Sequence, residues 1–329
     1  MRSTNPVFAG VGTTIFETMS RLAMAHEAIN LGQGFPDEDG PLSMRERAAG
    51  ALTSGPNQYP PMMGLPALRE AVAAHAERHY GLSYDPGGEV LVTSGATEAL
   101  ADIALALLEP GDEAVVFEPL YDCYAPMIAR SGAAVRTVRL HAPDWHIDED
   151  ALRAAFGPRT KLILLNTPHN PTGKVFTADE LDLVAELVRE HDAYAVCDEV
   201  YEHITFDGRP HIPLATLPGM AERTLRVGSA GKTFSMTGWK VGYVSGPAAL
   251  VSLVAKAHQY VTFTTPPALQ AAVAHGLDEC ADFYLGLSPD LEAKRDVLAA
   301  GLSRAGLKVL PCEGVYFLVA DVGALGLAN

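Results

Sequence analysis

Residues 161–198 read KLILLNTPHNPTGKVFTADELDLVAELVREHDAYAVCD. Lys161-Leu-Ile-Leu-Leu165 is a continuous apolar run, which marks a strand covered on both faces. A helix spans about Ala178 to His191, and Ala193-Tyr-Ala-Val-Cys197 returns to a short β-rich run. The alternation extends outward on both sides. Val90-Leu-Val-Thr93, Ala114-Val-Val-Phe117, Ala134–Arg139 and Thr224-Leu-Arg-Val227 read as strands, and Ala96–Leu108 as a helix ending at Pro110-Gly111. Strand–helix–strand order predicts an α/β fold with a mostly parallel, doubly wound sheet and helices on both faces. In such a sheet, ligands sit beyond the carboxyl ends of the strands, so the polar residues just past each strand carry the functional argument.

The chain ends read differently. One helix is expected over residues 13–28, followed by the Gly/Pro-rich Leu31-Gly-Gln-Gly-Phe-Pro36. A helix near 290–304 and strands at Lys308-Val-Leu310 and Val315-Tyr-Phe-Leu-Val319 follow at the other end. These pieces suggest a smaller α+β domain made of 1–40 and 275–329, beside a large domain over 41–274. A length of 329 residues agrees with a soft prior of two domains.

Composition excludes several classes. With 48% hydrophobic and 19% charged residues the chain is globular, not disordered. A net charge of −16 without a basic stripe argues against nucleic acid or an anionic membrane as partner. The cysteines at 123, 197, 280 and 312 form no CxxC pair and have no histidine at zinc spacing, so neither a disulfide framework nor a metal site is expected. The N-terminus lacks an apolar signal region, and Leu100–Leu108 is too short to span a bilayer. A cytoplasmic protein is the expectation.

Four segments lie at strand ends. Ser94-Gly-Ala-Thr97 opens a helix, where free N–H groups and the positive helix end suit a phosphate, although a plain turn and N-cap reads as well. Asn170 sits in the Pro- and Gly-constrained loop Asn166–Gly173, which can aim its amide at a ligand or be a well-made loop only. Asp198 follows a buried strand, where a carboxylate is costly unless paired; a helix N-cap is the alternative. Ser229–Gly242, SAGKTFSMTGWKVG, holds Lys232 and Lys240 among small and apolar residues. A desolvated lysine there can form a Schiff base.

SGATEAL, NTPHNPTG, DEVY and SAGKTFSMTGWKVG, in this order, resemble the class I aminotransferases, pyridoxal-phosphate enzymes of fold type I with a seven-stranded-type sheet. The resemblance runs from about residue 5 to 320, with NLGQGFPDEDGP at 30–41 and NQYPPMMGLPALREA at 57–71. The glutamine, kynurenine and methionine aminotransferases and the bacterial succinyl-diaminopimelate aminotransferases are the subgroup it resembles most. The resemblance implies that Lys232 carries the cofactor and moves the substrate Cα proton, and that Asp198 keeps the pyridine nitrogen protonated. It implies that Asn170 and Tyr201 bond the phenolic oxygen, and that Ala96, Thr97, Ser229 and Lys240 hold the phosphate. Many relatives have arginine at the Lys240 position, so bidentate geometry is lost there while the charge stays. Tyr121 matches an aromatic stacked on the cofactor ring, and Gly34 a glycine beside the substrate carboxylate. Tyr59 matches a residue reaching the phosphate from the neighbouring subunit, which implies a homodimer with shared active sites. For Tyr121, Tyr59 and Gly34, a core tyrosine, a surface tyrosine and a turn glycine are the competing readings.

Family members continue well beyond a segment such as Glu313–Asp321, and the continuation carries an arginine that clamps the substrate carboxylate. No arginine follows Arg304, so that role is unassigned and an incomplete chain is expected. The expected reaction moves an amino group between an L-amino acid and a 2-oxo acid. β-Elimination from cysteine conjugates is an alternative, and a regulatory module without turnover a remote one. No arginine lies between Arg226 and Arg295, and Tyr260–Thr265 is apolar to neutral. This favours neutral, sulfur-containing or aromatic donors, with Phe16 and Phe263 as candidate pocket walls or core residues. Succinyl-diaminopimelate stays open.

Overall fold

A computed structural model of the chain describes residues 2, 4–32, 34 and 36–326. The strands are β1 (Val90–Thr93), β2 (Glu113–Glu118), β3 (Ala134–His141), β4 (His146–Ile147), β5 (Thr160–Asn166), β6 (Tyr194–Asp198), β7 (Thr224–Ser229), β8 (Gly242–Ser245), β9 (Lys308–Val309) and β10 (Ala320–Asp321). Among the described residues, eight of them form one sheet in the order β1-β8-β7-β6-β5-β2-β3-β4. The β3-β2-β5-β6-β7 run is parallel, and β4 pairs antiparallel as a two-residue edge. The strand order reverses direction at β5, which lies between β2 and β6.

The helix between β5 and β6 shows why these residues fold as they do. Thr177 and Glu180 form a reciprocal capping box at the start of Ala178–Glu190, the N–H of Thr177 donating to Glu180 Oε2 at 2.9 Å. Leu181, Val184, Ala185, Leu187 and Val188 recur on one face and are buried. That face packs on Ile163, Leu165, Ala195 and Cys197. The opposite face of the same strands presents Leu162, Leu164 and Val196 to the helices Ala96–Leu107 and Ala248–Val261. Side chains alternate across the sheet, so both faces are apolar and the strands read as continuous hydrophobic runs.

Two differences from the sequence reading matter for the site. Strand β8 lies antiparallel between β1 and β7, a strand hidden in the glycine-rich stretch 228–246. It brings Gly242 opposite both Thr93 and Ser229, and a Cβ on Gly242 would lie 2.5 Å from the carbonyl carbon of Gly95. Only a glycine lets the backbones of these segments approach so closely. Val315–Val319 is not a strand. Val315 is fully buried with φ +61°, an unusual conformation for a β-branched residue, which breaks the extended run. Its N–H bonds Ile204 O at 3.0 Å, and Gly314 bridges Thr205. The expected helix at 290–304 begins earlier, at Ala281, and runs through Pro289. The expected helix at 13–28 spans Ile15–Ala25.

A buried ion pair joins two helices under the sheet edge. His258 Nδ1 lies 2.9 Å from Glu98 Oε1 and 3.6 Å from Asp102 Oδ2, all three side chains being buried. Burial alone would discharge His258, but the negative charge of Asp102 and the hydrogen bond that the ring donates to Glu98 raise its pKa to about 9. The folded value exceeds the unfolded value of about 6.5. Folding therefore favours the protonated ring, and the contribution is complete below about pH 6.5 and lost as pH rises through 9. The expected result is a melting temperature that falls between pH 6.5 and 9. In His258→Gln this dependence should flatten, at about 1.4 kcal/mol per unit of displaced pKa. An unchanged pH profile in the variant would remove His258 as its source.

Candidate active site

Because β1, β2, β5, β6 and β7 point the same way, their carboxyl ends share one edge. Gly95–Thr97, Tyr121, Asn166, Asp198 and Ser229 meet there around a cavity of about 260 Å³. Of the residues singled out in the sequence, Phe16, Gly34, Ala96, Thr97, Tyr121, Asn170, Asp198, Tyr201, Ser229, Lys232 and Lys240 all line it. Tyr59 and Phe263 do not. They form an edge-to-face pair 5.3 Å apart at the surface, 82% and 38% exposed.

Lys232 stands on the one-turn helix Ala230–Thr233 directly after β7. Its Nζ donates to the Tyr316 hydroxyl at 2.6 Å and lies 5.5 Å from the centre of the Tyr201 ring. The Tyr201 and Tyr316 rings meet edge to face, with their hydroxyls 3.5 Å apart. Gly34 lies so close to Tyr316 and Phe317 that a Cβ there would collide with both rings.

Asp198, at the end of β6, is only 5% exposed. Desolvation pushes its carboxyl up to about 6, against the stabilising hydrogen bonds of the Tyr124 hydroxyl and the Val200 N–H and the charge of Lys232. Tyr124 donates to Oδ2 at 2.5 Å. Asn166 holds the same strand end, its Nδ2 donating to Asp198 O at 2.9 Å and its Oδ1 accepting from Asn170 N–H at 2.8 Å. A carboxylate so placed calls for a cationic partner inside the cavity.

At the other side the helix Ala96–Leu107 opens toward the cavity behind Gly95, whose φ is +80°. The first N–H groups of a helix lack intrahelical acceptors. Lys240, itself at φ +54°, folds its side chain over this turn: a Cβ on Gly95 would lie 3.3 Å from Lys240 Nζ. Glu98 accepts from Ser94 N–H and anchors the turn from behind. Helix end, ammonium and the Ser229 hydroxyl make an anion cradle. An anion cradle at one end, a buried carboxylate at the other and an amine between them fit pyridoxal phosphate in the chemistry of its three recognition points.

Tyr316, Phe317, Tyr124 and Asn166 are site residues that the sequence reading missed. Asn166 ends β5 and Tyr124 opens the short helix after β2, and their nearness to the recognised Asn170 and Tyr121 was the available signal. Tyr316 and Phe317 carried none, because the turn at Val315 aims them.

The family described as aminotransferase class I and II matches residues 26–327. A probable N-succinyldiaminopimelate aminotransferase of Mycobacterium tuberculosis is 49% identical over 317 residues, 95% of this chain and 80% of that protein. The methionine aminotransferase of Escherichia coli is 44% identical over 315 residues, 96% of this chain and 82% of that protein. The solved structure of N-succinyldiaminopimelate aminotransferase from Mycobacterium tuberculosis superposes with a TM-score of 0.96 at 47% identity, covering 99% of this chain and 85% of that one. The chain therefore belongs to the class I and II aminotransferases and is a pyridoxal-phosphate-dependent enzyme that moves an amino group between an amino acid and a 2-oxo acid.

Proposed function

We propose that the amino donor is a neutral, sulfur-containing or aromatic L-amino acid, and that the enzyme works as a cytoplasmic homodimer. The observation that carries the donor class is the cavity wall. Phe16, Val200 and Phe317 line it, and no arginine does among the described residues. A donor side-chain carboxylate would be desolvated there without a guanidinium partner. Phe16, Gly34 and Phe317 come from 1–40 and 275–329, and they face residues of 41–274 across the cavity. This supports reading those segments as a small domain that closes over the large one. The exposed Tyr59–Phe263 pair supports the dimer, as a piece of surface that reaches the neighbour's pocket. Four free thiols agree with a reducing compartment.

In this reading Lys232 carries the cofactor and later moves the substrate Cα proton through Nζ. Bound pyridoxal phosphate supplies an electron-withdrawing ring that accepts the electron pair released at Cα. Asp198 keeps the ring nitrogen protonated, and that cation in turn meets the cost of its burial. Tyr124 and Val200 N–H fix the carboxylate's orientation. Asn170 and Tyr201 would hydrogen-bond the cofactor's phenolic oxygen, and Tyr121 would hold its ring. Ala96 and Thr97 N–H, the Ser229 hydroxyl and Lys240 would hold its phosphate. Tyr316 orients the Lys232 amine, and Gly34 leaves room beside it for the substrate carboxylate.

Lys232→Ala should lose borohydride-trappable cofactor and reduce turnover by roughly 10² to 10⁴ or more; retained trapping or near-normal turnover would exclude Lys232. Tyr124→Phe removes the donor to a charged carboxylate, a bond worth about 1.5–3 kcal/mol. Cofactor affinity should drop about tenfold or more, and the pH titration of the bound cofactor should shift. An unaltered titration would leave Tyr124 no part in tuning Asp198. A donor panel scored by kcat/KM decides the substrate class. Methionine, glutamine and phenylalanine should exceed aspartate by about 10²-fold, the scale of leaving a buried charge unpaired. A preference for aspartate or N-succinyldiaminopimelate would overturn the neutral-donor reading.

A further inference from the structure

The helix Pro66–Tyr80 carries His75 and His79 one turn apart, so both project from one face. The turn after β6, which bears Asp198 and Tyr201, ends at His203 and lays that ring against them. His75 Nε2 and His203 Nε2 are 2.8 Å apart, and ring nitrogens of all three histidines lie within 4.8 Å of one another. The ring centroids of His79 and His75 are 4.6 Å apart, and those of His79 and His203 5.1 Å. His75 is buried, while His79 and His203 are half-buried and give the cluster a path to solvent.

We propose that His75, His79 and His203 form a binding site for a divalent transition-metal ion of the zinc class, with water completing four ligands. None of the three takes part in the transamination chemistry. Three ring nitrogens on two rigid elements match the ligand type and number that zinc takes. Tetrahedral bonds of about 2.0–2.1 Å place ligand nitrogens about 3.3 Å apart. His75 and His203 need to part by only about half an ångström for this, while His79 swings inward from its 3.1 Å contact with the Tyr284 hydroxyl.

The surroundings favour a cation. The three rings each offer a nitrogen that ligates in its neutral form. Behind them lie two buried carboxylates, Glu199 and Glu202. They share one guanidinium, Arg226, whose Nη2 is 2.6 Å from Glu199 and 3.2 Å from Glu202. His211 reaches Glu199 at 3.2 Å. Arg226 and Arg78 set two positive charges near these groups, and Glu202, next to His203 in the chain, acts on all three histidines more strongly than either arginine. An ion bound there would tie the turn that bears Asp198 and Tyr201 to the helix at 66–80.

The test uses untagged holoenzyme, stripped with a chelator, dialysed and titrated with Zn²⁺ or Co²⁺. The expected result is one ion per chain by elemental analysis, and intense visible Co²⁺ bands that mark a four-coordinate nitrogen site. His79→Ala, the least buried change, should weaken binding by about a hundredfold or more and abolish those bands, and His203→Ala should do the same. His211→Ala, outside the ligand set, should bind as the parent does. Far-UV circular dichroism and the cofactor absorption establish that each variant is folded, and His79→Ala decides alone if His203→Ala is not. Less than one ion per chain at saturation overturns the proposal, as does equal affinity in parent and His79→Ala.

Discussion

The carboxylate of Asp198 sets the terms for everything near it. It lies at the end of a fully covered strand, where losing water penalises its charge enough to lift it to about 6. The surrounding fold answers that penalty with the Tyr124 hydroxyl and the Val200 N–H, and keeps the strand end in place through Asn166. What those neighbours leave unmet is a positive charge from the cavity side. A buried acid with one incomplete partner is a binding element for a cationic heterocycle. The same cavity is lined by the anion cradle at the start of the helix Ala96–Leu107 and by Lys232.

That arrangement rests on strand direction. Six strands, β1, β2, β3, β5, β6 and β7, gather their carboxyl ends on one edge, and antiparallel β8 starts from the same edge instead of ending there. The insertion brings Lys240 back across the start of the helix Ala96–Leu107, so that one cation serves a turn more than 140 residues earlier. It also leaves no room for a side chain at Gly242. Val315 has a comparable role from the other end of the chain. Its left-handed backbone interrupts an apolar run that would otherwise extend, and delivers Tyr316 to Lys232. Backbone strain of this kind, costing on the order of 1–3 kcal/mol, persists where surrounding contacts over-determine it. The full burial of Val315 supplies those contacts.

Much of this was legible in the residues. Long apolar runs, capping signals and helical spacing are local properties, so the alternation of strands and helices, and with it the parallel sheet, follows from the text of the chain. Lys232, Asp198, Asn170 and the Ser94–Thr97 turn were legible for the same reason, each lying just past a strand that could be recognised. β8 was not, because four residues framed by glycines carry too little pattern to stand out from a loop. Tyr316 was not, because an apolar run with β-branched residues reads as a strand until one φ angle reverses.

By itself the sequence determined the fold class, the order of the elements and the chemistry available at the strand ends, since these depend on periodicity and residue type within short windows. Only the tertiary structure decided which distant side chains complete one another. Tyr124 with Asp198, Lys240 with Gly95, His258 with Glu98, and His203 with the His75–His79 pair are separated by 74, 145, 160 and 128 positions along the chain. No local rule couples such positions. Their pairing comes from burial: once the sheet closes, groups that lose water must find partners among whatever the packing has brought near.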